Sequence, residues 1–274
     1  MLLALAACGD DATDPVDANA TPDADVRGTL SFNWSISDGS AAATCGEVGA
    51  SAIAMTLLPI GVQGSDNEIS SCATNADSGV FTTGPVVPRS YDLQITIAAS
   101  QGDLIDEVIT FSNIAVDPLD NTDLGDVEFT IDPLGNVEFQ LAAIETGGNC
   151  ALVVDDGAGI VDFELVLMQN ATCVPVDFEI YNAAGDTLED TYTVACTGDE
   201  RYGSCIAEDK ILRVTGIGSG PSEMDITGYR TGDLPCYVTT ANFTVPGNDL
   251  TADLQAVNIP LDLTNKNCVP PKTP

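Results

Sequence analysis

The 274-residue chain carries 42 Asp+Glu against 8 Lys+Arg, a net charge of −34, and no histidine. At 44% hydrophobic residues it has the apolar content to build cores and is no disordered polyacid. Without histidine it cannot assemble a Ser-His-Asp or Cys-His nucleophile or a histidine-ligated zinc or iron site. Its few cations and strong negative charge also argue against phosphoryl transfer and against nucleic acid or anionic headgroups as partners.

In chain order, the first element is an apolar run ending in a cysteine, MLLALAAC, followed by GDDATDPVDANATPDADV. Leu5-Ala6-Ala7-Cys8 resembles the lipobox of bacterial lipoproteins. The resemblance implies residues 1–8 as a truncated signal segment, a diacylglyceryl thioether and N-acyl chain on Cys8, and membrane attachment through those chains. Two or three acyl chains together anchor a protein stably where one holds it only marginally. The run is short for a signal peptide and has no basic segment, so the expected start lies upstream. Residues 9–27 read as a tether. Asp10, Asp11, Asp14, Asp17, Asp23 and Asp25 repel one another, and Pro15 and Pro22 break any helix. Extended, such a segment reaches roughly 60 Å at 3.3–3.6 Å per residue.

From Gly28 the pattern changes to short alternating runs. LSFNWSI (30–36), YDLQITI (91–97), VEFTI (127–131), VDFELVL (161–167) and VDFEIY (176–181) each place apolar residues on one face, the period of half-buried strands. Turn clusters SDGS (37–40), DPLG (132–135) and NAAGD (182–186) separate them. The chain therefore reads as all-β. It also reads as duplicated: GTLSFNWSI (28–36) matches GNVEFQLAAI (135–144), SCATNADSGVFTTGPVVPRSYDLQI (71–95) matches SCIAEDKILRVTGIGSGPSEMDI (204–226), and NTDLGDVEFTI (121–131) matches LTADLQAVNIPL (250–261). The expected organisation is a β-sandwich over 28–132, a second over 135–268, and a tail over 269–274. The alternation and the turn-strand element PRSYDLQI resemble the immunoglobulin-like or prealbumin-like sandwiches of bacterial surface proteins, carboxypeptidase regulatory-like modules among them. Where that family often has Gly before the Tyr, this chain has Ser90. The whole is similar to two-domain surface lipoproteins of myxobacteria-like bacteria.

Nine cysteines less Cys8 leave eight, an even set in an exported protein. Cys45 and Cys72 are alone in the first half and are expected to pair; the match between halves then gives Cys150–Cys205. A 24-residue insertion, CVPVDFEIYNAAGDTLEDTYTVAC (173–196), is expected to pair Cys173 with Cys196 across a hairpin, leaving Cys236–Cys268. The alternative, Cys150–Cys268 with Cys205–Cys236, stays open.

Candidate chemistry is sparse. Asp117, Asp120, Asp123 and Asp126 in DPLDNTDLGD suit a hard cation such as Ca²⁺ by residue type but lack an EF-hand's spacing, so an Asx-rich inter-strand loop is expected and no metal or other cofactor. Asp155-Asp156-Gly157 is weaker still. GIGSG (216–220) lacks the spacing of a phosphate loop and of a nucleophile elbow. Carboxylate pairs for glycoside hydrolysis would want aromatic platforms, and Trp34 lies on the inward face. The expectation is a non-enzymatic, lipid-anchored envelope protein, in the outer membrane facing periplasm or exterior, with adhesive, structural or binding roles. The alternative is a Ca²⁺- or glycan-binding module built on the acidic loops.

Overall fold

The computed structural model describes residues 26–143, 147–198, 200–252, 255–268 and 270. The lipobox with Cys8, and the tether up to Asp25, lie outside the described residues, as does the tail apart from Pro270. Arg27, assigned above to the tether, packs on the first sandwich: its carbonyl accepts from Leu119 N at 3.2 Å and its guanidinium donates to Pro85 O at 3.3 Å.

The architecture is all-β. The first half comprises β1 (Thr29–Ser37), β2 (Ala52–Pro59), β3 (Asp66–Ser71), β4 (Ser78–Thr82), β5 (Ser90–Ala99), β6 (Gly102–Asp103), β7 (Ile109–Ala115) and β8 (Asn121–Thr130). The second comprises β9 (Leu134–Ala143), β10 (Ile160–Gln169), β11 (Thr172–Cys173), β12 (Val176–Tyr181), β13 (Leu188–Val194), β14 (Ile211–Gly218), β15 (Gly220–Arg230), β16 (Leu234–Val245) and β17 (Gln255–Ile259). In the first half β4-β1-β8 faces a sheet of β3-β2-β5, with β6 and β7 both pairing on β5; in the second, β13-β12-β14-β9-β17 faces β11-β10-β15-β16. The pairings repeat: β1 with β4 and β9 with β14 antiparallel, β2 with β5 and β10 with β15 antiparallel, β1 with β8 and β9 with β17 parallel. The hairpin β12–β13 is the addition, and it widens one sheet of the second half by two strands.

Alternation decides which residues fill each core, because successive side chains of a strand point to opposite faces. Leu30, Phe32, Trp34 and Ile36 of β1 pack with Tyr91, Leu93, Ile95 and Ile97 of β5 and Val127 and Phe129 of β8. In the second half Val137, Phe139 and Leu141 pack with Phe163, Leu165, Leu167, Phe178 and Ile180. Each such side chain stabilises the fold by about 1.5–3 kcal/mol through removal from water. Phe32 stacks on Phe81 at 4.9 Å, and Gly79 lies so close to Trp34 that a Cβ there would stand 2.8 Å from the indole. The Tyr91 hydroxyl donates to Val87 O at 2.8 Å and pins the turn preceding β5.

The disulfides are Cys45–Cys72, Cys150–Cys205, Cys173–Cys196 and Cys236–Cys268, and the pairing through Cys150–Cys268 does not occur. One detail differs from expectation. Cys173 belongs to β11, which pairs with β10 in the facing sheet, so its bond to Cys196 ties the inserted hairpin to the opposite layer rather than across the hairpin's own two strands.

The halves meet end to end. Gly247 N donates to Val48 O at 3.0 Å, Asn248 N to Asp132 O at 2.8 Å, and Ser219 Oγ to Glu47 O at 2.7 Å. Ser219, in the GIGSG turn, thus straps one sandwich to the other.

Asn149 is fully buried, yet its polar groups are satisfied: Nδ2 donates to Leu141 O at 2.7 Å and Ile206 O at 2.9 Å, and Oδ1 accepts from Ala143 N at 2.7 Å. Asn149→Ala leaves these backbone groups buried and unpaired, and the expected loss is about 2–4 kcal/mol. Urea unfolding followed by tyrosine dichroism, which reports mainly the second half, should show the full loss. Trp34 fluorescence, which reports the first, should shift less.

Candidate functional site

The acidic segment Asp117–Asp126 is not a loop throughout. Asp117 and Asp120 lie in the turn between β7 and β8, but from Asn121 onward the chain is strand β8, paired in parallel with β1. The expected inter-strand loop is therefore corrected: only its first half is loop. The register slips between Ser31/Asp123 and Asn33/Asp126, so one extra residue bulges from β8. Gly125, at φ 83, supplies the left-handed backbone this bulge needs. The carboxylates are separated accordingly. Asp126 accepts from Asn33 Nδ2 at 2.9 Å, Asp123 from Gly125 N at 3.0 Å, and Asp120 from Asn121 N at 2.8 Å; the Asp120 carbonyl accepts from Thr29 N at 2.9 Å. They lace β8 to β1. Among the described residues no group of three or more Cys, Asp or Glu is placed to hold a metal ion.

Asp155 closes a single 3-10 turn and Asp156 follows it at φ 60, both on the link between β9 and β10. Trp34 is 8% exposed and belongs to the core. The eight described cysteines are all in disulfides, so none of them is a nucleophile.

The densest polar cluster lies in the second sandwich and had no counterpart in the sequence reading. Arg201 sits over the Tyr229 ring at 3.7 Å and pairs with Asp233 at 2.9 Å and Asp162 at 3.8 Å. The Tyr229 hydroxyl donates to Glu164 at 2.5 Å, Tyr202 donates to Asp190 at 2.6 Å, and Tyr192 donates to the Glu200 carbonyl at 2.6 Å. The Glu200 carboxylate accepts from the Ala195, Cys196 and Thr197 amides and from the Thr197 hydroxyl, which leads in holding it below the usual carboxylate range. Beside the cluster is a depression of 170 Å³ lined by Glu164, Val166, Val194, Gly198, Glu200 and the Cys173–Cys196 bridge. A second arginine repeats the theme: Arg213 lies 4.4 Å over Tyr181 and bonds Glu138 through Nε at 2.8 Å and Nη2 at 2.6 Å. These groups are mutually satisfied, the carboxylates by tyrosine hydroxyls, arginines or backbone amides. Chemically the cluster braces β10, β13, β15 and the segment around Glu200. One signal could have pointed to it: five of the six tyrosines lie beyond residue 180, in the same stretch as three of the five arginines.

No family model matches this sequence, and no curated protein matches it. Among solved structures, the chain is similar to the major pilin from Streptococcus pyogenes, at 10% identity over 86% of this chain and 98% of that one, with a TM-score of 0.27. It is also similar to the shaft pilin SpaA from Lactobacillus rhamnosus GG (7%, 86% and 98%, TM-score 0.24) and to a putative carbohydrate binding protein from Bacteroides uniformis (10%, 79% and 98%, TM-score 0.23). Superpositions this loose carry no argument about the chain, whose architecture rests on its own strand pairing.

Burial pushes the Tyr192, Tyr202 and Tyr229 phenols up to about 12, reinforced for Tyr202 by Asp190 and for Tyr229 by Glu164. A raised phenol favours the neutral form in the folded state. The stability it contributes is complete below the ordinary tyrosine value of about 10 and is lost as pH rises through about 12. Phenolate absorbance should show these three ionising near 12 together with loss of near-ultraviolet dichroism, whereas ionisation of all tyrosines near 10 with dichroism intact would contradict the geometry. Because Asp120, Asp123 and Asp126 do not converge, millimolar Ca²⁺ should move the melting temperature by less than about 1 °C, and no more than Mg²⁺ does.

Proposed function

We propose that this chain is a non-catalytic lipoprotein of a bacterial cell envelope, anchored through acyl chains on Cys8 and presenting two β-sandwiches at the end of an acidic stalk for adhesive, structural or binding roles. The cysteine distribution carries the reading. Of nine cysteines, eight form four disulfides, and the remaining one is Cys8 in Leu5-Ala6-Ala7-Cys8. A fold stapled four times belongs in an oxidising compartment, which requires export. The odd cysteine then stands where an exported bacterial protein receives lipid.

Other features agree. Among the described residues no helix is long and apolar enough to cross a membrane, so attachment in this reading rests on the acyl chains. The strongly negative surface keeps the sandwiches soluble and away from anionic headgroups, as a stalked module needs. Outer-membrane placement, facing periplasm or exterior, completes the proposal.

The test is metabolic labelling with a palmitate analogue in a bacterial host that expresses the full gene product. The native protein should carry label and fractionate with membranes. Cys8→Ala should lose the label and appear in the soluble fraction with its disulfides intact. An unlabelled native protein, or free thiols at Cys45, Cys72 and the other six positions, would overturn the reading.

A further inference from the structure

The two sandwiches differ at one edge. In the second half β14 is covered on both sides, by β9 and by the inserted β12, where Glu179, Ile180 and Tyr181 lie opposite Arg213, Leu212 and Ile211. In the first half β4 occupies the same place beside β1, and among the described residues no strand pairs with its other edge.

The chemistry of that edge can be read from its ends. Ile36 N donates to Asp77 O at 2.9 Å, and Thr83 N donates to Leu30 O at 2.9 Å. An antiparallel ladder alternates every two residues, so Asp77, Gly79, Phe81 and Thr83 turn their backbone groups to β1, while Ser78, Val80 and Thr82 turn theirs outward. Phe81 lies opposite Phe32 as Leu212 lies opposite Phe139. Val80 and Thr82 therefore stand where Ile211 and Arg213 stand, two of the residues against which β12 pairs. Edge strands are normally guarded by charge or proline. This one has no charged residue between Ser78 and Val87, Pro85 comes only after the strand, and Val80 is 66% exposed.

We infer that β4 accepts an extended, lysine- or arginine-bearing segment of a partner protein, laid antiparallel along its free edge as β12 lies on β14. The charge follows from the surroundings. Asp77 precedes the strand, and the Glu68 carboxylate reaches its far end, accepting from Gly84 N at 3.3 Å. Arg89 is the sole cation between Gly28 and Asp132. In the second half the edge is covered by the acidic strand VDFEIY, whose Glu179 lies opposite Arg213 and whose Tyr181 carries the Arg213 guanidinium on its ring; Thr82 offers no such charge. A second copy of this chain, or its own aspartate-rich N-terminal segment, would meet like charge. The inference goes beyond the envelope reading and does not depend on acylation.

Hydrogen exchange, read amide by amide, tests it with two synthetic hexapeptides, one alternating lysine with valine and one alternating glutamate with valine. The lysine peptide should slow exchange at Ser78, Val80 and Thr82 by at least about tenfold, and the glutamate peptide should not. Val80→Pro should remove that protection while keeping the melting temperature within about 2 °C, since an outward N–H on an edge is where proline is tolerated. Thr82→Lys, which copies Arg213, should weaken the lysine peptide and admit the glutamate peptide. No protection at the three amides, equal binding of both peptides, insensitivity to both substitutions, or a dimer with these amides already protected would overturn the inference.

Discussion

Each sandwich is closed by the parallel pairing of its first and last strands, β1 with β8 and β9 with β17. That single constraint sets the shape of the molecule. In a parallel pair both strands run the same way, so the chain enters a sandwich at one end and leaves at the other. β8 delivers the chain to the far end of the first half, and within a few residues β9 begins the second. The β1–β2 loop, which carries Glu47 and Val48, is necessarily at that same far end, and there it meets Ser219 and Gly247. Close backbone approach makes the seam firm: a Cβ on Gly247 would fall 2.6 Å from Asp132 O. The result is two modules joined end to end, with the N-terminal strand entering at the end opposite the seam.

How much of this was legible follows from where each strand sits. The central strands carry an inward apolar face and an outward polar one, so β1, β5, β10 and β12 announced themselves by alternation. The edge strand β3 is wet on both faces. β3, with Asp66, Asn67, Ile69 and Ser71 exposed, has no apolar stripe to read, and Ile69 is 71% exposed. The start of β8 was hidden for a related reason: a bulge at Gly125 breaks its period, and its acids resemble a loop. The parallel closures could not be seen at all, because alternation says which face is buried and not which strand lies alongside.

The tyrosine–arginine cluster was invisible for another reason. Arg201 and Tyr229 are far apart in sequence, as are Arg213 and Tyr181, and only the paired strands bring them together. Arg230 continues the pattern in the interior, donating to Ala158 O at 2.7 Å and to the Tyr237 hydroxyl at 2.8 Å. In a chain so short of cations, these three arginines all lie against aromatic rings in the second half. A guanidinium can do this because it is planar and weakly hydrated, and can stack while its edge bonds carboxylates. The effect is an asymmetry of charge: the second sandwich neutralises part of its own acid internally, whereas the first leaves its acid facing solvent.

Part of that asymmetry, and one of the four disulfides, come with the inserted hairpin. A two-stranded ribbon alone is marginal in water. β12–β13 persists because β12 pairs with β14, Phe178 and Ile180 enter the core, and Cys173–Cys196 fastens it to the facing sheet. On β14, Arg213 lies opposite Glu179 in the ladder, bonds Glu138 on the neighbouring β9 and stacks on Tyr181 of the insert. The first sandwich has neither insert nor extra bridge, and its equivalent strand β4 is short, uncharged and, among the described residues, uncovered. Duplication thus produced two modules with one core design but opposite edges, the first open and surrounded by acid, the second closed by its own chain.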